Sequence, residues 1–255
     1  MQRSIVPALL LTLTLGAGAI SVSADTITIR ADSWYPMNGE PGSDKPGYMI
    51  ELAKAIFEPA GHQVDYGLMP WERAVKSVRA GDYDCVVGAY NDDAPDFVFP
   101  QENWGLDETH LWVAAGNDWK YTGTDSLAGK TVGLIGGYAY GDEFDGYFKA
   151  HPGQAQYIKA NNALEQNIKK VAGGRIDATA ESPSVMRAKL KDMGYQGKLV
   201  SAGALGDPVP MYIACSPAKD SSQTYVDLVD KGTRELRKSG KLDAILERYG
   251  LEDWQ

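Results

Sequence analysis

The segment Val78-Arg79-Ala80-Gly81-Asp82-Tyr83-Asp84 is matched 93 positions later by Val171-Ala172-Gly173-Gly174-Arg175-Ile176-Asp177. In both, an apolar pattern with helical spacing reaches a glycine, a short turn follows, and an apolar run resumes after the aspartate. A glycine that ends a helix before an extended run is typical of a helix-to-strand connection. Gly and Asp are common in such turns, so coincidence is one interpretation. The alternative is two lobes of similar construction with a cleft between them.

Strand-like and helix-like segments alternate along the whole chain. In the first half the strand-like runs are residues 26–31, 64–68 and 84–90, with helix-like runs at 48–60 and 71–80. In the second half the strand-like runs are 131–135, 155–159 and 176–180, with helix-like runs at 142–150 and 163–172, and two further helices at 225–250. This order predicts an α/β fold in which each lobe is a mainly parallel sheet flanked by helices.

Two extended runs, residues 108–115 and 209–215, have no place in this repeating order. We interpret them as two strands that cross between the lobes, an arrangement that makes a natural hinge. The sequence then predicts that residues 25–113 and 213–255 form lobe 1 and that residues 114–212 form lobe 2.

The first residues have the pattern of a secretory signal peptide. Arg3 is the only charged residue before Asp25, residues 5–15 are apolar, and small residues stand at 22–24. The apolar stretch is too short for a transmembrane helix. The sequence therefore predicts a cleaved signal peptide at 1–24 and a soluble periplasmic product.

Composition narrows the possible partners. Without Arg3 the exported chain has 24 basic and 34 acidic side chains, a net charge of −10. An acidic chain without basic runs argues against nucleic acid and anionic lipid as partners.

The only cysteines, Cys85 and Cys215, lie far apart in sequence, each within an apolar run. An oxidising compartment permits a disulfide between them, and two buried free thiols are the alternative.

Five segments, in order, are similar to the family-3 solute-binding proteins, the polar amino-acid receptors of bacterial ABC importers. They are residues 47–53 (GYMIELA), 70–74 (PWERA) with 80–84 (AGDYD), 127–133 (LAGKTVG), 136–141 (GGYAYG), and 236–242 (LRKSGKL) with 248–250 (RYG). The resemblance implies a two-lobed type II periplasmic binding protein that closes on a small polar ligand and presents it to a membrane permease. We also expect a monomer without a cofactor. A periplasmic sensor subunit is the alternative that the sequence leaves open.

In open α/β sheets, ligands bind beyond the carboxyl ends of the strands. After the first strand, Trp34 and Tyr35 follow Asp32 in a Gly/Pro-rich loop, where aromatic rings can pack a ligand or face a cation. Packing on their own lobe is the alternative. Trp71 and Arg73 open the second helix. Arg73 is a candidate partner for a ligand carboxylate, with simple solvent exposure as its alternative.

The loop after the strand at 84–90 departs from the family pattern. Members that bind α-amino acids carry Thr-x-x-Arg there, whose guanidinium clamps the carboxylate. This chain has Asn91-Asp92-Asp93 instead. Backbone N–H groups from Gly88 through Tyr90 to Asn91 remain candidates to hold a carboxylate. Asp92 and Asp93 are interpreted as a solvated turn that would repel one.

In lobe 2 the glycine-rich loop at 136–141, with Tyr138 and Tyr140, links a strand to a helix. Glycines there let backbone amides approach a ligand, so the loop is a candidate carboxylate cradle, with a plain turn as the alternative. Glu181 ends the second strand of the repeat, where the resemblance implies an acidic contact to the ligand ammonium.

Few residues support an enzyme. The histidines His62, His110 and His151 lack metal-ligand spacing, and no nucleophile motif is present. We expect neither catalytic nor metal-binding residues. A dehydratase that uses Glu72, Asp92 or Glu181 as acid or base is the remaining enzymatic alternative.

Overall fold

The computed structural model describes residues 25–255, so the predicted signal peptide lies outside the described residues. The strands are β1 (Thr26–Ala31), β2 (Gln63–Leu68), β3 (Cys85–Ala89), β4 (Leu106–Asp107), β5 (His110–Ala114), β6 (Val132–Ile135), β7 (Ala155–Ile158), β8 (Ala178–Glu181), β9 (Leu199–Ala204), β10 (Val209–Pro210) and β11 (Tyr212–Cys215). The helices are α1 (Tyr48–Phe57), α2 (Trp71–Arg79), α3 (Asp142–Ala150), α4 (Ala163–Ala172), α5 (Pro183–Asp192), α6 (Ser222–Lys238) and α7 (Lys241–Glu247).

The strands form two mixed sheets. The first has the order β11-β3-β1-β2, in which β3, β1 and β2 are parallel and β11 is antiparallel to β3. The second has the order β7-β6-β8-β5-β9, in which β7, β6 and β8 are parallel and β5 is antiparallel to both of its neighbours, β8 and β9. Each sheet thus has the parallel βαβ core that the repeating sequence order predicts, extended by antiparallel strands.

The matched aspartates perform the same structural task in each sheet. The carboxylate of Asp84, just before β3, accepts the backbone N–H of Thr28 in the neighbouring strand at 2.7 Å. The carboxylate of Asp177, just before β8, accepts the backbone N–H of Thr131 at 2.7 Å. The sequence repeat is therefore also a repeat of structure, in which an aspartate joins the starts of two adjacent parallel strands.

The connection between the sheets differs from the one expected. The run at 108–115 is not a crossing strand, because β5 within it pairs with β8 and β9 of the second sheet. The two-stranded ladder lies just before it, where β4 pairs with β10. We propose that the lobes divide at this short ladder, so that lobe 2 begins near residue 108 rather than at 114.

The two cysteines form a disulfide. The antiparallel register of β3 and β11 places Cys85 opposite Cys215, and their Cα atoms lie 4.0 Å apart. Both residues are fully buried. The disulfide joins the start of β3 to a strand 130 residues later, which fixes the returning chain to lobe 1.

Within residues 25–255, every helix is too short or too polar to cross a lipid bilayer.

Candidate ligand-binding cleft

The carboxyl ends of the parallel strands from the two sheets face each other. From lobe 1, Asp32 and Trp34 follow β1, and Tyr90 follows β3. From lobe 2, Tyr138 follows β6, and Glu181 ends β8. These groups meet in one buried layer, where the strand-end rule places a ligand.

Three hydrogen bonds cross this layer and hold the cleft closed. They run from Trp34 Nε1 to Glu181 Oε1 (2.8 Å), from the Tyr138 hydroxyl to Asp32 Oδ2 (2.6 Å), and from the Ala139 backbone N–H to Asp93 Oδ1 (3.0 Å). The two lobes also lie close together at Gly137. A Cβ atom added to this glycine would lie 2.8 Å from the Cβ of Glu72 in lobe 1. At the rim, Lys159 Nζ lies 2.8 Å from the Glu72 carboxylate.

Asp93 takes N–H groups from both lobes. One carboxylate oxygen accepts the Tyr90 N–H at 2.9 Å within lobe 1, and the other accepts the Ala139 N–H of lobe 2. The interpretation of Asp93 as part of a solvated turn is therefore wrong, whereas Asp92 is exposed. Burial raises the pKa of Asp93 to about 7, although these hydrogen bonds act to lower it.

Glu181 is a deeply buried carboxyl group of the cleft. Its side chain is only 3% exposed, and Oε1 accepts both the Trp34 indole N–H and the Ser182 backbone N–H. Its other oxygen, Oε2, has no hydrogen-bond partner among the described residues. Burial raises the pKa of Glu181 to about 8, against the effect of the two hydrogen bonds.

Two further buried carboxyl groups complete the set. Burial raises the pKa of Asp32 to about 6 despite its bond from Tyr138. Burial also raises the pKa of Asp107, which accepts the Tyr90 hydroxyl at 2.6 Å. Within the described residues, no lysine or arginine forms an ion pair with any of these four carboxylates.

Aromatic rings form the remaining walls. Trp34 meets Tyr90 edge to face with centroids 6.3 Å apart, and Tyr138 meets Trp71 in the same way at 6.2 Å. The Trp71 indole faces Asp93 and lowers the pKa of that carboxyl group without reaching hydrogen-bond geometry. Tyr140 continues the aromatic wall beside Tyr138, at 6.0 Å.

Little space is left inside the closed cleft. The two inner cavities have volumes of about 20 and 10 Å³. An outer cavity of about 480 Å³ shares Tyr90 with both inner cavities, and Thr109, Ala139 and Tyr140 with the smaller one. Its wall includes the acidic residues Asp92, Asp107, Asp142, Glu143 and Asp207.

Most of the candidate residues from the sequence come together here. Those that line the inner cavities are Trp34, Trp71, Gly88, Tyr90, Tyr138, Tyr140 and Glu181. Asn91 is exposed on the wall of the outer cavity. Tyr35 instead packs against Tyr249 with ring centroids 5.8 Å apart, and Arg73 is exposed on α2. The structure thus leaves Tyr35 and Arg73 outside the cluster.

Sequence reasoning missed Asp93 and Asp107 as cleft residues. Asp93 carried one usable signal, because a side chain three residues after Tyr90 can reach back to its N–H, as it does at the turn 91–93. Asp107 carried none, since its burial depends on where β4 meets β10. No group of three His, Cys, Asp or Glu side chains within 25–255 has the geometry of a metal site.

Two α/β lobes, joined by a short ladder and closed over buried strand ends, define a solute-binding protein of the type II periplasmic class. The chain belongs to the bacterial extracellular solute-binding proteins, family 3, whose sequence profile matches residues 27–252. Both the fold class and the family predicted from the sequence are confirmed.

Individual relatives agree with this assignment. The chain is 26% identical over 223 residues to the probable amino-acid-binding protein YxeM of Bacillus subtilis (strain 168), covering 86% of this chain and 81% of the relative. An ancestral arginine-binding protein bound to arginine has a TM-score of 0.74 at 20% identity, covering 88% of this chain and 98% of that one. A histidine kinase sensor domain similar to periplasmic binding proteins has a TM-score of 0.73 at 18% identity, covering 90% and 99%. The two structural likenesses show the fold.

Proposed function

We propose that this protein captures an amino acid or a related small polar molecule in the periplasm and delivers it to an inner-membrane ABC permease. The observation that carries the proposal is the buried Glu181 carboxylate, which lies at the interface of the lobes and retains one unpartnered oxygen. A positively charged group of the ligand satisfies that oxygen. YxeM, named as a probable amino-acid-binding protein, supports the general ligand class.

Closure and opening follow from the contacts across the cleft. Opening breaks the bonds from Trp34 to Glu181 and from Tyr138 to Asp32, and returns both carboxylates to water. The ligand enters this open form, and closure then surrounds it with the aromatic walls. Only the β4–β10 ladder and its flanking loops need to bend, because each lobe has its own sheet.

The proposed location rests on the predicted signal peptide at 1–24 together with a family described as extracellular. We propose that the protein acts as a monomer, since each chain has a complete cleft, and that it releases its ligand unchanged. Mass spectrometry of the ligand after incubation checks the last point, and a new product would support the dehydratase alternative.

The test is a thermal-shift screen of amino acids, amines and small organic acids, followed by calorimetry on each compound that raises the melting temperature. Glu181→Gln keeps the shape of the side chain and removes its charge, and we expect it to weaken binding about 30-fold or more, as truncated buried charge contacts do. The matched control is Glu58→Gln, since Glu58 is exposed at the end of α1. Equal affinity in both variants would remove Glu181 from the site.

A sensor subunit is the second candidate, because a histidine kinase sensor domain shares this fold. The two candidates differ in the membrane partner. Ligand-dependent uptake into vesicles reconstituted with a permease supports transport, whereas ligand-dependent kinase activity without uptake supports sensing.

A further inference from the structure

The two loops expected to cradle a ligand carboxylate are both occupied by a carboxylate of the protein itself. The Tyr90 N–H of lobe 1 and the Ala139 N–H of lobe 2 point at opposite oxygens of Asp93, at 2.9 and 3.0 Å. Charge-assisted hydrogen bonds of this kind are the contacts by which a bound carboxylate is recognised. Asp93 therefore stands where a ligand carboxylate would bind, and it links the lobes as such a ligand would.

Among the described residues, no cation is paired with the carboxyl groups of the cleft. Asp32, Asp107 and Glu181 are buried around the same space, and no described lysine or arginine pairs with them. At the rim, Lys159 is already paired with Glu72. A second carboxylate brought into this layer would meet like charge at low dielectric, which is strongly unfavourable.

Among the buried polar atoms without a partner, Glu181 Oε2 is an acceptor and therefore requires a donor. Glu181 Oε2 is buried, has no hydrogen bond among the described residues, and belongs to a side chain that lines an inner cavity together with Trp34, Tyr90 and Tyr138. An N–H group on a cation satisfies this acceptor, and the aromatic side chains that line the same cavity can pack against the apolar part of the ligand. A quaternary ammonium has no N–H and would leave Oε2 unsatisfied.

We infer that the ligand is an organic amine or guanidine that carries no carboxylate, with its cationic N–H group on Glu181 and the chain's Asp93 in the place of the missing carboxylate. This inference rests on the proposed function, since it concerns the same cleft. The adjoining outer cavity of about 480 Å³ has an acidic wall, including Asp142 and Asp207, that suits a second amino group at the far end of the ligand.

The test uses pairs of probes that differ only in a carboxylate: 1,4-diaminobutane against ornithine, and agmatine against arginine. Calorimetry with the mature protein at pH about 8.5, above the raised pKa values of Asp32, Asp93 and Glu181, should give an amine affinity at least about tenfold above that of its amino acid. Tighter binding of ornithine or arginine would overturn the inference and leave the proposed function standing. Failure of every compound in the screen, including these four, would overturn both.

Asp93→Ala tests the mechanism separately. The substitution frees both N–H groups and removes one negative charge, so the preference for the amine over the amino acid should fall about tenfold or more. The control is Asp96→Ala, three residues further on, where the exposed side chain pairs with Arg79. An unchanged preference in folded Asp93→Ala would overturn the role of Asp93. If that variant does not fold, the preference of the unaltered protein still decides the inference.

Discussion

Strand β3 has a carboxylate at each end, and the two lie in opposite environments. Before the strand, Asp84 accepts the backbone N–H and the hydroxyl of Thr28, and its other oxygen lies 2.7 Å from Lys219 Nζ. After the strand, Asp93 accepts two backbone N–H groups, one of which belongs to the other lobe. The same residue type therefore joins strands at one end and lobes at the other.

The pKa values follow this difference. Burial acts to raise the pKa of Asp84, but the bonds from Lys219 and Thr28 outweigh it and hold the pKa below its usual range. At Asp93 the effect of burial is larger than that of the hydrogen bonds, and the pKa rises to about 7. The carboxylate that stabilises the fold is paired with a cation, whereas the one in the cleft is not. In the second lobe, Asp177 likewise joins two strands at the start of β8, and Glu181 lies at the end of that strand.

The largest expected effect lies at the start of β3. Replacing both Cys85 and Cys215 by alanine removes a cross-link that spans 130 residues, and we expect the free energy of unfolding to fall by about 2–5 kcal/mol. Chemical denaturation of the double variant measures this loss. Ligand affinity should not change, because the disulfide lies at the opposite end of the strand from the cleft. A large loss of affinity in the folded variant would contradict this separation of roles.

A pair of isosteric substitutions tests the two kinds of carboxylate directly. Asp84→Asn removes the partner of Lys219 and weakens two hydrogen bonds, so it should lower the free energy of unfolding by about 1.5–3 kcal/mol. Glu181→Gln removes a charge that burial disfavours, so at pH about 8.5 it should leave the ligand-free protein equally stable or more stable. Denaturant titrations of Asp84→Asn and Glu181→Gln compare the cation-paired carboxylate with the one in the cleft. An equal loss of stability in the two variants would refute the distinction between them.

Much of the fold could be predicted because its signals are local. The bounds of α4 agree with the periodic run at 163–172, and the Gly-Asp repeat marks the start of β3 and β8. The sheet to which the strand at 110–114 belongs is harder to predict, since an extended run shows that a strand exists but not which sheet it joins. Helix α5 and strand β9 carry weaker periodic patterns and were not predicted.

The candidate site could be predicted only in part. Residues at strand ends, such as Trp34 and Glu181, follow from a general rule of α/β sheets. The role of Asp93 depends on the Ala139 N–H, 46 residues away in the other lobe, so the local sequence shows only a polar turn. Contacts that exist only when the lobes close leave little trace in a local pattern.

The cleft carboxyl groups give a prediction for pH. The pKa values of Asp32, Asp93 and Glu181 are raised to about 6, 7 and 8, so the closed state binds more protons than the unfolded or open state. The stabilisation that protonation of these three groups gives the closed, folded state is complete below about pH 4. It is lost as the pH rises through about 8. The melting temperature of ligand-free protein should fall from pH about 5 to about 8.5, less steeply in Glu181→Gln. A rise over the same interval would contradict the assignment.

The smallest effect is expected at the rim, where Glu72 of lobe 1 pairs with Lys159 of lobe 2. Both side chains are about half exposed or more, and exposed pairs contribute only about 0.2–1 kcal/mol. Glu72→Gln should therefore weaken ligand binding by about fivefold at most, because it affects closure and not contact with the ligand.

Since salt screens an exposed pair, the difference between Glu72→Gln and the unaltered protein should vanish near 1 M salt. The loss in Glu181→Gln should persist there, because the buried contact is shielded from ions. A loss at Glu72 that equals the loss at Glu181 would mean that closure, rather than contact with the buried carboxylate, determines affinity.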